Sequence, residues 1–448
     1  MRRALLARPP MTGCTKGAHR ASTCNLELYF LVGNNNRVIR GRSSRPLLAP
    51  VITQKRRCPM PHDPRMTRKA LRFSLPLTRR KAMALGTIGG AALAAPALAN
   101  PLPQVNWRMP MFVPRTADAV VEAATDFTRR VSEATEGRFR IQPFGAGEIV
   151  PSGAALLDAA ETGTVECAFT LSYYSIGKDP AYAFGSALPF GFNTRGQAAW
   201  LFRAGGLELL NAFFNARGTH ALPVGNSTAQ MGGFFRKEIN SLDDLKGLKM
   251  RIPGLGGTVM AKLGVIPQQI APGDIYAALE RGAIDAAEWA GPYDDFRFGL
   301  HRVAPYYYAP GWWEAQATIM AFVHKPHWDA LPKLYQSILQ TCATATWTSH
   351  VAHYDAINSG GIRQIVAAGA RVRFFPKSVL DAAYEASFET FEALHRTSPD
   401  FARIYPHWRR FLDEHELYAR IGEASYDHYV HSHRHAAAPS SKARAQLE

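Results

Sequence analysis

Cysteine is scarce in this chain. Five occur in 448 residues, and Cys14, Cys24 and Cys58 all precede residue 66. No pair has Cys-x-x-Cys or zinc-type spacing, which excludes a dithiol redox motif and a cysteine-held structural zinc. The other two, Cys167 in VECAF and Cys342 in QTCATA, sit in apolar segments. They read as buried free thiols, with a disulfide between them left open. Catalytic signatures are missing too. There is no G-x-S-x-G and no Ser/His/Asp order to defend. FGAGE at 144–148 lacks the G-x-G-x-x-G pattern of a dinucleotide site, and GLGG at 254–257 opens a helix without the Lys-Ser/Thr pair of a phosphate loop. The histidines are scattered. His350 and His353 are three apart on one helix face, which permits a metal pair, but they read as ordinary core or surface histidines. His431, His433 and His435 read as part of a polar tail.

Acidic residues are nearly absent from the first 99 positions, which hold 2 Asp and Glu against 19 Lys and Arg. Taken from chain totals of 36 and 52, this leaves 34 acidic and 33 basic residues in 100–448, a net charge of −1. The formal +16 of the whole chain is thus confined to a leader. No basic face for nucleic acid is implied.

Residues 1–65 are Arg- and Pro-rich without periodicity, and read as disordered or as translated sequence upstream of the true start. Met66 begins a complete export signal over 66–99. RMTRKALRFSLPLTRRK is its basic region. AMALGTIGGAALAAPALA is its apolar region, too short and Gly-rich to span a membrane. Ala97-Leu98-Ala99 is a small-x-small cleavage site. Arg79-Arg80 suggests the twin-arginine route, with Ala82 standing where a bulky apolar residue is usual.

The body alternates strands and helices. NWRMPMFVP is a strand. DAVVEAATDFTRRVSEATEGRF has helical spacing and stops at Gly137. GAALLDAAETGTVECAFTLSYYSIG runs helix, Gly, strand, loop. It leaves Tyr173 and Tyr174 at a strand end, to line a cleft or to pack beneath the loop. AAWLFRAGGLELLNAFFNARG reads as one helix. Ser241 is the expected cap of SLDDLKG. HALPVGNSTAQMGGFFRK and ATIMAFVHKP read as crossovers out of and back into a first lobe. The stretch from HWDALPK to IVAAG reads as one long helix spanning both lobes. The last stretch, SVLDAAY to YVHS, is helical with breaks. Its Tyr384, Phe388, Phe391, Tyr405, Trp408, Phe411 and Tyr418 read as exposed aromatics. From about 433 the tail reads as disordered.

Function concentrates between Met250 and Glu314. There the order strand, Pro-Gly turn, helix, Gly, short apolar strand repeats twice. This is βαβα logic, in which loops at strand ends carry function. Arg251 ends the first strand, and its planar fork suits a carboxylate. A structural ion pair would use it equally well. Glu288, Glu314 and the Gln230 amide are oxygen ligands. With a backbone carbonyl near Trp289 and a ligand carboxylate they suit a hard cation such as Na⁺ or Ca²⁺, though lone glutamates are usually solvated. Trp289, Trp312, Trp313, Tyr306, Tyr307 and Tyr308 supply apolar walls, or simply core.

The ordered segments ALPFGFNTRGQAAW, PVGNSTAQMGGFFRKEINSLDDLKGLKMRIPGLGG, GAIDAAEWAGPYDD and YYYAPGWWE carry a resemblance. The chain after residue 104 resembles the substrate-binding proteins of TRAP (tripartite ATP-independent periplasmic) transporters, in the subgroup that takes 2-oxo and 2-hydroxy monocarboxylates. The resemblance implies that Arg251 pairs with the ligand carboxylate. It implies that Gln230, Glu288, Trp289 and Glu314 build the cation and ligand site. Tyr173 and Tyr174 join them as ligand-binding candidates on their strand-end position alone. It also implies a periplasmic location, membrane permease subunits as partners, and a homodimer through the C-terminal helices. The expected fold is α/β, a two-lobe periplasmic binding protein (type II-like) with hinge crossovers, a long spanning helix and extra C-terminal helices. Lobe I would take 100–228 and 315–357, and lobe II 229–314 and 358–432, with 433–448 as tail. The rival readings are a metal-dependent lyase acting on a small carboxylate, and the binding subunit of an ABC transporter or sensor.

Cleavage after Ala99 makes Asn100 the expected first residue of the exported protein. N-terminal sequencing of the periplasmic form checks this, and a mature chain that keeps Arg79-Arg80 contradicts it.

Overall fold

The computed structural model describes residues 102–436, with side chains through His433. The leader with its Arg79-Arg80 pair and cleavage site, and the chain after 436, lie outside the described residues.

The first lobe begins with β1 (Val105–Pro110) and β2 (Phe139–Phe144), a parallel pair joined by α1 (Asp118–Ala134). Val120, Ala123, Ala124, Phe127 and Val131 of α1 recur at helical spacing and are buried. Helix α2 (Ala154–Glu161) leads into β3 (Cys167–Thr170), whose four residues are all buried. A bridge from Met111 to Phe169 ties β1 to β3. Strand β3 pairs antiparallel with β10 (Thr318–His324), which pairs antiparallel with β4 (Thr219–Asn226).

After β4 the chain leaves this sheet and builds a second one. Its spatial order is β11, β9, β5, β8, β6, β7. The strands are β5 (Gly233–Phe235), β6 (Lys249–Arg251), β7 (Ile266–Gln268), β8 (Ala286–Ala287), β9 (Tyr306–Ala309) and β11 (Arg371–Phe374). Helices α5 (Gly254–Lys262) and α6 (Ile275–Glu280) connect the parallel strands β6, β7 and β8. This is the two-lobe α/β architecture that the strand and helix order implied. Ser241 caps the turn Leu242–Leu245 in a reciprocal capping box with Asp244.

Three expectations need correction. AAWLFRAGGLELLNAFFNARG is two helices, α3 (Thr194–Arg203) and α4 (Gly206–Asn215). Gly205 between them is left-handed, with φ +82°, and a helix cannot continue through that conformation. The long helix starts later than expected. Residues Lys325–Ala330 form a separate short helix, α8, and Pro332 starts α9 (Lys333–Ala367) afresh because it holds Leu331 extended. Helix α9 packs on β4 and α1 of the first lobe and on α7 (Pro292–Arg297) of the second.

The C-terminal aromatics are the third correction. Helix α10 (Lys377–Thr397) packs on α5 of the second lobe, whereas α11 (Pro399–Ile421) packs on α3, α4 and residues 180–185 of the first. This differs from the division that gives 358–432 to lobe II. Phe401, Ile404, Tyr405, Trp408 and Leu412 form one buried stripe on α11. Phe401 meets Phe184 at 4.7 Å and Trp408 meets Phe192 at 5.4 Å. Phe391 is buried as well, so of the expected exposed set only Tyr384 and Tyr418, 47% and 65% accessible, face solvent fully. Helix α12 (Glu423–Ala436) carries helical structure past 433, where a disordered tail was expected. Cys167 and Cys342 are free and buried.

Candidate functional site

Strand register brings four distant residues to one end of the second sheet. In the β6–β8 pair Arg251 lies opposite Ala287, so Glu288 follows directly beside it. Strand β5 runs antiparallel to both β8 and β9, so its start lies beside their ends. Gln230 therefore precedes β5 and Glu314 follows β9 at this same end. The approach is close enough to require glycine. A Cβ on Gly233, whose φ is +78°, would lie 2.3 Å from the Ala287 carbonyl oxygen. Tyr173 and Tyr174 arrive from the first lobe, on the turn after β3.

The cluster is closed off from solvent. Arg251 is 2% accessible, Glu288 0% and Glu314 3%, and Gln230, Trp289 and Tyr173 are also buried. Arg251 Nη1 makes an ion pair with Glu288 Oε1 and donates to the Glu288 carbonyl at 2.8 Å. Its guanidinium carbon lies 5.4 Å from the Trp289 ring. The Tyr173 hydroxyl donates to Glu314 Oε2 at 3.5 Å, the limit of a hydrogen bond. Gln230 Nε2 donates to Ser227 Oγ at 2.9 Å. Glu288 Oε2, Gln230 Oε1, and the Tyr174 hydroxyl are buried without a hydrogen-bond partner.

Charge is unbalanced here. Burial raises the Glu288 carboxyl above the usual range, against the opposing pull of Arg251. The Trp313 indole nitrogen makes no hydrogen bond, yet it faces Glu288 and favours its ionised form. Burial, then the negative charge of Glu288, pushes Glu314 well above its ordinary value. Burial alone would weaken the charge of Arg251, but Glu288 and the neighbouring oxygens hold its pKa above normal. Burial pushes Tyr174 up to about 12. Two carboxylates lie within the field of one guanidinium, and each like charge disfavours ionisation of the other.

Beside this cluster lies a cavity of roughly 240 Å³ between the lobes. Arg251 and Tyr174 line it together with Ser152, Gln269, Ile270 and Pro272. Most of that lining comes from two turns, at 152–154 and 269–272, that carry no candidate site residue. Tyr306, Tyr307 and Tyr308 are not walls. They form β9, where Tyr307 donates to Asp295 at 2.6 Å and Tyr308 to the Ile239 carbonyl at 3.2 Å. Trp312 stacks on Phe190 at 5.2 Å, and Trp313 packs edge-on against it at 4.9 Å. His350 and His353 make no metal pair. His350 accepts from the Asn226 N–H and contacts the Ala119 carbonyl, while His353 pairs with Glu122. Among the described residues no three His, Cys, Asp or Glu side chains are grouped to hold a metal.

The sequence reading missed Asp294 and Asp295. Adjacent acids after a proline read as the solvated start of a helix, yet both are buried. Burial raises each to about 7, against hydrogen bonds from Tyr354 and Tyr307.

A carboxyl whose folded pKa lies above its unfolded value keeps its proton in the native state. Its stabilisation is full below about pH 4 and is lost as pH rises through the raised folded value. For Asp294 and Asp295 that window ends near 7. Ligand-free protein in chelator is expected to melt at lower temperature at about pH 8 than at about pH 5. Glu314→Gln is expected to raise the melting temperature at the higher pH, by removing a buried negative charge that lacks a partner. Scanning fluorimetry reads both, and a melting temperature flat across this range contradicts the electrostatic account.

Residues 112–396 match the family model DctP, bacterial extracellular solute-binding protein, family 7. A monocarboxylate 2-oxoacid-binding periplasmic protein of Nostoc sp. is 44% identical over 331 residues, 74% of this chain and 90% of that protein. A TRAP transporter solute-binding protein from Bordetella bronchiseptica, solved as a mixed-occupancy dimer with copurified calcium and picolinate in the active site against an apo site, is 45% identical. It superposes with a TM-score of 0.73, covering 75% of this chain and 99% of that one. A TRAP periplasmic solute-binding protein from Pseudoalteromonas atlantica, solved with sodium and pyruvate, gives 0.69 at 32% identity, covering 72% and 98%. This chain belongs to the DctP family of bacterial extracellular solute-binding proteins.

Proposed function

We propose that the protein captures a small 2-oxo or 2-hydroxy monocarboxylate together with one hard cation in the periplasm, and delivers it to TRAP membrane permease subunits. The observation that carries this is the unbalanced cluster: two buried carboxylates, one guanidinium, and buried Glu288 Oε2 and Gln230 Oε1 without partners. An all-oxygen donor set with excess negative charge fits Na⁺ or Ca²⁺. The relatives solved with sodium or calcium and a carboxylate support the same reading.

Glu288, Glu314, the Gln230 amide oxygen and the Trp289 main-chain carbonyl would hold the cation. A bound cation supplies the positive charge that lets both carboxylates ionise, and it polarises the 2-oxo or 2-hydroxy oxygen of the ligand. Arg251 receives the ligand carboxylate on Nη2, while Nη1 stays on Glu288 and Nε reaches the Ile270 carbonyl at 3.5 Å. Tyr174 offers its unpartnered hydroxyl beside the guanidinium. Trp289 lies against the guanidinium. Tyr173 brings the first lobe onto Glu314, so ligand capture and lobe closure act on the same contact. The adjoining cavity gives room for a side chain longer than a methyl group.

Raised carboxyls such as that of Glu288 also suit an enzyme's general base. In the binding reading the acid returns chemically unchanged. Arg251→Lys is expected to weaken pyruvate binding by about 1–3 kcal/mol, the scale of one charge-assisted hydrogen bond, and Arg251→Met by more. Glu288→Gln and Glu314→Gln are expected to abolish the effect of added Na⁺ or Ca²⁺ while residual binding remains. Calorimetry with pyruvate and a branched 2-oxo acid, with mass analysis of the recovered acid, checks all of this. Equal binding by Arg251→Met rules out Arg251 as the anchor, and turnover of the acid rules in an enzyme.

The homodimer is proposed through the outer face of α11 and α12. Leu417, Tyr418, Ile421, Tyr426 and Tyr429 are all more than 60% accessible there. Exposed apolar helix faces of this kind are found at protein contacts. Sedimentation of the full mature chain is expected to show a dimer, and Tyr418→Glu with Ile421→Glu a monomer. An intact protein that stays monomeric at high concentration refutes it.

A further inference from the structure

The segment Glu288–Ala290 carries two of the candidate cation donors, yet it lies beyond the last ladder residue of β8, Ala287. A few individual hydrogen bonds decide where it sits. The Glu288 N–H donates to the Arg251 carbonyl at 3.2 Å, and the Glu288 carbonyl accepts from Arg251 Nη1 at 2.8 Å. The Ala290 carbonyl accepts the Met231 N–H at 3.0 Å, which ties the segment to the residue after Gln230. These bonds come from the candidate site itself or from its direct neighbour. One more comes from outside it. The Ala290 N–H donates to Asp295 Oδ1 at 3.1 Å.

Asp295 is well placed to act as an anchor. It is fully buried, and its second oxygen accepts the Tyr307 hydroxyl at 2.6 Å. Tyr307 is held between β5 and β11 in the sheet, with its ring stacked 4.3 Å from Phe234. The chain Tyr307–Asp295–Ala290 therefore runs from the sheet to the C-terminal end of the site segment. Asp294, one residue earlier, faces elsewhere. Its carboxylate accepts the Tyr354 hydroxyl of α9 at 2.7 Å. Adjacent carboxylates on one short helix thus have separate duties, one toward the site segment and one toward the spanning helix.

We propose that Asp295 is a positioning residue: through the Ala290 N–H, and with Tyr307 as its support, it sets the backbone of Glu288 and Trp289 where their oxygens meet the cation. The proposal rests on the cation-assisted carboxylate reading above. A purely structural Asp295 would stabilise the start of α7 and no more. The two roles differ in one measurable quantity, the factor by which a cation tightens ligand binding.

The test titrates pyruvate into the mature protein in Ca²⁺, in Na⁺, and in chelated choline buffer, and records the ligand-free melting temperature alongside. Asp295→Ala is expected to cut the cation enhancement by about tenfold or more, the usual cost of losing an outer support of a metal site. Asp295→Asn keeps an oxygen for the Ala290 N–H and offers Tyr307 a donor, so it is expected to stay within about threefold of wild type. Tyr307→Phe removes only the support and is expected to fall between the two. Tyr354→Phe removes the bond to Asp294 and is expected to lower the melting temperature while leaving the enhancement unchanged. Unchanged enhancement in Asp295→Ala overturns the proposal. So does an equal loss in Asp295→Asn, or an equal loss in Tyr354→Phe. Should Asp295→Ala not fold, Tyr307→Phe decides, and a wild-type enhancement there overturns the proposal. A wild-type protein that binds no pyruvate under any of the three conditions overturns the functional reading and this inference together. A wild type that binds it with enhancement, beside an unaffected Asp295→Ala, overturns this inference alone.

Discussion

Two buried carboxylates share one buried guanidinium, and the surrounding structure is arranged about that imbalance. Removing charged groups from water costs several kcal/mol each unless partners replace the lost solvation. Arg251 makes a direct ion pair with Glu288 and acts on Glu314 only through its charge. Glu314 instead meets a tyrosine hydroxyl from the other lobe at the limit of bonding distance. Stability and binding are therefore linked at this point. Burial holds both carboxyls toward their protonated forms in the free protein, and in the proposed loaded state a cation would relieve the same oxygens.

Backbone geometry makes this concentration of charge feasible. Parallel pairing of β6 with β8 sets Arg251 beside Glu288, and antiparallel pairing of β5 brings Gln230 to the same edge. None of these residues needs a long reach to arrive there. The close packing at Gly233 leaves no space for any side chain. Farther out, Asp295 and Tyr307 connect the site segment to the sheet, while Asp294 and Tyr354 connect α7 to the spanning helix. One small helix thus holds both the candidate site segment and the spanning helix.

Much of this was legible in one dimension. The twice-repeated strand, turn and helix between Met250 and Glu288 required parallel strands, and parallel strands put Arg251 and Glu288 on neighbouring ends. Other features were hidden for identifiable reasons. Gly205-Gly206 sits inside an apolar pattern that continues at helical spacing, so the pattern outweighed the breaker. Tyr306, Tyr307 and Tyr308 have the composition of a pocket wall and of a core strand alike, and only the pairing with β5 and β11 selects the strand. The aromatics of α11 read as exposed because the surface they cover, around Phe184, Phe192 and Trp200, lies about two hundred residues away.

The sequence by itself determined what is local: the charge break at residue 99, the alternation of strands and helices, the cap at Ser241, and the family that the ordered motifs identify. Each depends on spacing and residue type over a few positions. Tertiary structure alone decided which polar atoms lose water and which find partners. Asp294 and Asp295 follow a proline in a pattern that normally faces solvent, and only packing against α9 and β9 buries them. The same holds for Glu314, which is an ordinary acidic residue until the two lobes enclose it. Desolvation is a property of the surrounding volume, and no stretch of sequence contains that volume.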